Sequence, residues 1–216
     1  MPALIYKRDA LGTVFLDAQC TPPVVVRDTS AAGRFARPLA RHLARREAAA
    51  LSAASGIGGV PRLLGFDGRV LRRSHIDGVP MYEAAPRARG YFKLALRLLR
   101  RLHARGITHN DVAKEANWLC TPDGRPALVD FQLAYAPRRR TKLFRVLARE
   151  DLRHLLKHKR YYLPEALTAR QRALLDRPTP FARAWRRLFK PPYRWVTRRV
   201  LGWPERSGPQ ERQARR

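Results

Sequence analysis

The stretch from 108 to 132, THNDVAKEANWLCTPDGRPALVDFQ, constrains the fold more than any other part of the chain. Two apolar bursts, WLC and PALVD, are separated by TPDG, a turn sequence in which Asp bonds its own backbone and Gly accepts a positive φ. This spacing predicts a β-hairpin whose open end sets Asn117 and Asp130 side by side. Just upstream, YFKLALRLLRRLHARG places Tyr91, Ala95, Leu98 and Leu102 on one helical face, and Gly106 is positioned to stop that helix. Ile107 then leads straight into the polar stretch.

The first third alternates in short bursts. LIYKR, TVFLD after Gly12, and PPVVVRD each read as a strand. From about Arg37 to Ala54 the chain has no glycine, and Leu39, Leu43 and Leu51 recur among arginines, which predicts a helix with one charged face. Gly58-Gly59 and Asp67-Gly68 bracket two further strands, RLLGF and RVLRR. The expected class is α+β: a small sheet carrying one helix over residues 1–76, a mostly helical part over 77–178, and a basic aromatic segment with a disordered end over 179–216.

The polar residues at the hairpin suggest phosphoryl transfer. A hard Mg²⁺ ion takes one or two oxygen ligands from a protein and the rest from phosphate and water, and Asn117 with Asp130 can supply them. Asp111, on the loop before the hairpin, is placed to accept a proton from an attacking hydroxyl, and Lys114 to neutralise charge on a transferred phosphoryl group. The competing reading has Asp111 capping the loop backbone and Asn117 holding a turn. His109 is expected to order the loop by hydrogen bonding rather than to act as an acid or base. His42, His75, His103, His154 and His158 show no ligand spacing and receive no chemistry.

Over roughly residues 5 to 160 the chain resembles the protein-kinase-like superfamily, and within it small bacterial kinases related to lipopolysaccharide core (Kdo/heptose) kinases and RIO-type kinases. HND at 109–111 is similar to the HRD of the catalytic loop, and DFQ at 130–132 to DFG. Arg27 stands where the strand lysine belongs and Glu47 where its helix partner belongs. The resemblance implies a two-lobed fold with Mg-ATP between the lobes, Asp111 as base, Asn117 and Asp130 on Mg²⁺, Arg27 and Glu47 organising the phosphates, and Gly12 in the loop that covers them. Five departures accompany it. Arginine replaces lysine at 27, and a guanidinium fork is not a compact ammonium. Asp111 and Asn117 lie six positions apart, one more than the HRD pattern allows, so the loop must bulge. Gln132 replaces the glycine of DFG, and Gly12 is alone where several glycines are usual. No APE-like segment follows DFQ, so a peptide-docking segment is missing.

A formal charge of +28, from 45 Lys and Arg against 17 Asp and Glu, implies an anionic partner: nucleic acid, anionic lipid or a phosphorylated molecule. Genomic nucleotide bias toward arginine is the competing source of that excess. Cys20 and Cys120 lie far apart without metal or disulfide spacing, which fits a reducing cytoplasm. No run is apolar enough for a signal peptide or a membrane span. From about Thr141 a helix should carry Lys142, Arg145, Arg149, Arg153 and Lys157 as one basic stripe, opposite Phe144, Leu147, Leu152, Leu155 and Leu156. The favoured acceptor is a sugar hydroxyl on an anionic, lipopolysaccharide-type glycolipid. The alternatives are a RIO-like Ser/Thr protein kinase and a pseudokinase serving as a basic scaffold for lipid or nucleic acid. Two short helices are expected around Pro191-Pro192, pairing Phe181, Trp185 and Tyr193 with arginines. They suit either an anionic inner-membrane surface or docking onto the helical part.

Overall fold

The computed structural model describes residues 4–176. The segment 179–216, with its two expected helices and both of its expected roles, lies outside them. The described chain is a mixed α+β structure. Strands β1 (Leu4–Asp9), β2 (Gly12–Asp17), β3 (Val24–Asp28), β4 (Leu63–Phe66) and β5 (Val70–Ser74) form a five-stranded antiparallel sheet in the order β1-β2-β3-β5-β4. Helix α1 (Arg37–Ala53) connects β3 to β4, so β5 turns back to lie between them. Three consecutive valines make β3 a strong strand former. Val25, Val26 and Arg27 are all buried, which means that both faces of this strand are covered.

Helix α1 begins with Pro38 in its first turn, where the missing N–H is no loss. Its buried face is Ala40, Leu43, Ala44, Glu47, Ala48 and Leu51. Leu39, expected on that face, is instead 45% exposed. The alanines decide the rotation, because small side chains let the helix axis come close to its neighbours, whereas leucine at 39 would hold it off.

After Ser74 the chain forms a second sheet of three strands, ordered β6 (Val79–Pro80), β7 (Trp118–Cys120) and β8 (Pro126–Leu128). Between β6 and β7 lie a single helical turn, α2 (Met81–Ala84), and the long helix α3 (Arg89–Ala104). Gly106, at φ +78°, ends α3, and Gly124, at φ +73°, closes the β7–β8 hairpin. The last elements are α4 (Lys142–Tyr162), capped by the Thr141 hydroxyl accepting from Phe144 N, and α5 (Ala169–Asp176).

One continuous core joins the end of α1 to the helices. Leu51, Ile57 and Met81 pack with Tyr91, Phe92, Leu99 and Leu102 of α3, Trp118 and Leu128 of the hairpin, Phe131, and Leu155 of α4. Burying each of the larger side chains stabilises by about 2–3 kcal/mol. Their polar ends are satisfied: Trp118 Nε1 donates to Val112 O at 3.3 Å and the Tyr91 hydroxyl to Leu119 O at 3.1 Å. Both bonds pin the polar loop and hairpin to the core.

The basic stripe of α4 is interrupted. Arg153 is only 6% exposed and turns toward α5, donating from Nε to Leu174 O and from Nη2 to Leu175 O, both at 3.2 Å, while pairing with Glu150 at 2.9 Å. The last carbonyls of α5 need donors, and a guanidinium from a packed neighbour provides them. Lys142, Arg145, Arg149 and Lys157 remain on the exposed side. Among the described residues, no helix is long and apolar enough to cross a membrane.

Candidate functional site

The five-stranded sheet and α1 together bury a charged triad. In the β3–β5 ladder Val25 pairs with Arg73 and Arg27 with Leu71, so Arg27 and Arg73 are diagonal neighbours on one face. Glu47 of α1 is fully buried between them, with Oε2 3.0 Å from Arg27 Nε and Oε1 3.3 Å from Arg73 Nε. A buried charge persists only where it is paired, and here each carboxylate oxygen has its own cation. Burial opposes the charge on Arg27, but Glu47 and then Asp130 outweigh it and raise its pKa above the ordinary value. Arg73 escaped the sequence reading; its one signal is that it falls two residues beyond buried Leu71 on the same strand.

Arg27 also reaches the segment after the hairpin. Its Nη1 donates to Gln132 Oε1 at 3.1 Å and its Nη2 lies 3.5 Å from Asp130 Oδ1. Asp130 adopts the left-handed region at φ +66° and starts the tight turn Phe131–Leu133, which folds the Gln132 side chain back so that Nε2 donates to Asp130 Oδ2 at 3.0 Å. Asp and Asn tolerate this backbone region better than most residues. Burial pushes the Asp130 carboxyl up, yet Arg27, Lys114 and Arg73 prevail and hold it below the usual carboxylate range. Arg46 of α1 clamps the same turn, donating from Nη2 to Leu133 O at 3.0 Å and to Ala134 O at 2.9 Å.

The polar loop is shaped from beneath by α4. Asp151 is buried, and its carboxylate accepts from His109 N at 2.8 Å and Asn110 N at 2.9 Å while meeting His103 Nε2 at 3.2 Å. Asn110 sits at φ +65°, a reversal that the two bonds to Asp151 hold in place. His109 is fully buried: its Nε2 meets Val129 O at 3.0 Å, Asp111 N donates to its Nδ1 at 3.3 Å, and its ring stands edge-on to Phe131. Those bonds require the neutral tautomer with the proton on Nε2. His109 thus orders the loop. His103, given no chemistry from its spacing, shares the Asp151 anchor. Farther along, buried Glu115 accepts from the Tyr162 hydroxyl at 2.8 Å and lies 3.4 Å from His158 Nδ1, tying the loop to the end of α4.

Asp111, Lys114 and Asn117 converge. Asp111 Oδ2 lies 2.7 Å from Lys114 Nζ and accepts from Asn117 Nδ2 at 2.9 Å; the same amide donates to Asp111 O at 3.0 Å. Two successive turns, with Lys114 N bonded to Asp111 O and Asn117 N to Lys114 O, each at 3.3 Å, take up the additional residue. Val129 N donates to Asn117 O at 2.9 Å, which closes the open end of the hairpin. Burial raises the Asp111 pKa, and Lys114 offsets only part of that rise.

Gly12 has a packing role. It begins β2, is buried, and adopts φ +114°; a Cβ there would lie 2.2 Å from Asp28 O. Its glycine is required by close contact between the β1–β2 turn and the end of β3, not by an open loop. Two grooves, of about 340 and 430 Å³, run along α3, α4 and α5, and none of the site residues lines them.

The donors present fit a magnesium ion. Asp130 Oδ1 is a buried carboxylate oxygen without a hydrogen-bond donor, facing only Arg27. Asn117 commits its Nδ2 to Asp111, which leaves its Oδ1 as a neutral oxygen ligand. One charged and one neutral oxygen suit Mg²⁺, which completes its shell from phosphate and water. Among the described residues, no group of three or more His, Cys, Asp or Glu is arranged to hold a metal. No family model matches the chain, and no curated protein matches it significantly.

Proposed function

We propose that the chain is an ATP-dependent phosphotransferase with a two-lobed, protein-kinase-like fold, the five-stranded sheet and α1 forming one lobe and the helical part the other. The observation that carries this reading is the contact of Arg27 with both Glu47 and Asp130, which joins strand, helix and post-hairpin turn around one point. The polar loop is bonded to the same turn by Asn110 Nδ2 donating to Leu133 O at 2.9 Å, and on that loop Asp111 is held by Lys114 and Asn117. In the proposed reaction a hydroxyl oxygen of the acceptor attacks the γ-phosphorus, the bond to the β-phosphate oxygen breaks, ADP leaves, and the hydroxyl proton passes to Asp111. A carboxyl whose pKa is raised by burial is a better proton acceptor than an ordinary one. Mg²⁺, when bound by Asn117 and Asp130, supplies charge neutralisation on the phosphates. Lys114 adds a cation beside the reacting group.

The acceptor that best suits a chain of charge +28 with no docking segment between Asp130 and α4 is an anionic, lipopolysaccharide-type sugar, met in the cytoplasm at the inner membrane surface. A second reading, a pseudokinase scaffold, is favoured by one observation: Nε, Nη1 and Nη2 of Arg27 all face protein acceptors, so phosphate must compete for them. Thermal melting with millimolar ATP separates the two. The enzyme reading expects stabilisation that needs Mg²⁺ and that Asp130→Ala weakens more with metal than without it. Absence of any ATP-dependent shift would leave the scaffold reading. Should ATP bind, labelled-phosphate transfer to lipopolysaccharide and to protein acceptors ranks the substrates.

A further inference from the structure

We infer that Gln132 is a positioning residue which makes an arginine workable at position 27, the two departures from the kinase pattern being halves of one device. A guanidinium presents its donors in a rigid fork, and a buried donor left unmade is costly. Arg27 is 9% exposed, so each arm needs an acceptor. Glu47 Oε2 lies 3.0 Å from Nε and Asp130 Oδ1 3.5 Å from Nη2, both as ion pairs, and Nη1 makes the hydrogen bond, to Gln132 Oε1 at 3.1 Å. A compact ammonium at 27 would have no such arm, and a glycine at 132 could not serve it.

The amide works in both directions. While Oε1 holds Arg27, Nε2 donates to Asp130 Oδ2 at 3.0 Å, and Gln132 itself is 8% exposed. The tight turn Phe131–Leu133 places this side chain against the carboxylate two residues before it. Gln132 thereby holds Asp130 through Oδ2 and leaves Oδ1 without a hydrogen-bond donor, 3.5 Å from Arg27 Nη2. Glutamate at 132 would keep the acceptor but set a second carboxylate against Asp130. The glutamine carboxamide provides both an acceptor for the cation and a donor for the anion. The inference deepens the phosphotransfer reading and rests on it for the ligand, while the coupling of the two residues belongs to the ligand-free protein.

The test is a double-mutant cycle on the full chain with Arg27→Lys, Gln132→Met and both together, read by urea unfolding without ligand. Each single change should raise the unfolding equilibrium constant by about tenfold, and the pair by little more than the worse single, because the first loss removes what the second would break. Factors that simply multiply would overturn the inference. Gln132→Glu guards against a Met variant that fails to fold: its carboxylate needs the guanidinium, so it must couple to Arg27→Lys at least as strongly, and additivity there is equally fatal. In parallel, Gln132→Met should raise severalfold the Mg²⁺ concentration needed for half of the ATP-dependent melting shift, leaving any metal-free ATP effect in place. An unchanged Mg²⁺ midpoint refutes the orientation of Asp130. If the unmutated protein shows no Mg-ATP shift, the phosphotransfer reading falls and the unfolding cycle alone decides this inference.

Discussion

Replacing Glu47 with alanine removes the carboxylate that two buried guanidinium groups share. Arg27 and Arg73 are 9% and 8% exposed, and their Nε atoms lie 3.0 and 3.3 Å from the two oxygens of Glu47. Breaking a buried pair from one side typically costs about 3–5 kcal/mol, because a charge is left in a medium that solvates it poorly. Arg27 keeps Gln132 and the facing Asp130, which offsets part of that cost, so a loss of about 3 kcal/mol is expected for Glu47→Ala. For a chain of this size each kcal/mol moves the midpoint by about 2–4 °C, giving a fall of roughly 6–12 °C. Urea unfolding measures the loss directly. Since the pair is dry, 1 M NaCl should change the difference little. Removing Arg73 together with the carboxylate, Glu47→Leu with Arg73→Leu, should destabilise less than Glu47→Ala, since Arg27 keeps Asp130 and Gln132 and no second guanidinium is left without a partner. A loss below about 1 kcal/mol that vanishes in high salt is the signature of a solvated helix charge, and would refute the triad as an organising element.

Asp111→Asn should lower phosphate transfer by a factor on the order of a hundred or more without destabilising the ligand-free fold, since it removes an ionised group that burial disfavours; unchanged turnover in a transfer assay would remove Asp111 from the base role. The same raised pKa predicts that turnover falls, with decreasing pH, above the range at which an ordinary carboxylate protonates. Gly12→Ala should cost on the order of 3 kcal/mol, because the backbone oxygen of Asp28 cannot move aside and φ +114° is strained for any side chain; a neutral effect in denaturation would show that the turn adapts. Burial, and next the Lys157 cation, push His154 down to about 4, so the unfolded chain binds the extra proton below its ordinary value near 6.5. Stability should therefore be complete above about pH 6.5 and decline toward pH 4 by on the order of 2–3 kcal/mol, and His154→Gln should flatten that limb of the pH–stability curve.

The strands, the face of α3 and the β7–β8 hairpin were legible because their signals are local. Period-two bursts, the three-to-four spacing of Tyr91, Ala95, Leu98 and Leu102, and TPDG each act within a few residues, and all four helical residues are indeed buried. Leu39 departs from its hydrophobicity because the alanines of α1 let the helix approach its neighbours closely on another face. Arg153 departs for a related reason: helical spacing puts it on the basic stripe, but the open carbonyls of α5 draw it inward. In the site, Asp111, Asn117 and Asp130 could be anticipated from spacing, while Arg73, Asp151 and Glu115 could not, since each is an ordinary charged residue until its partner arrives from another element.

What the sequence determined by itself is the order of the elements, their apolar faces, and the placing of Asn117 and Asp130 at the ends of one hairpin, because backbone preference and turn chemistry are short-range. What only the tertiary structure decided is the polar wiring. Arg27 and Gln132 are 105 residues apart and meet at 3.1 Å. Glu47 becomes the shared anion of two arginines only when α1 lies against the sheet. Packing first removes water from these groups, and each must then find a partner among whatever the fold has brought within reach.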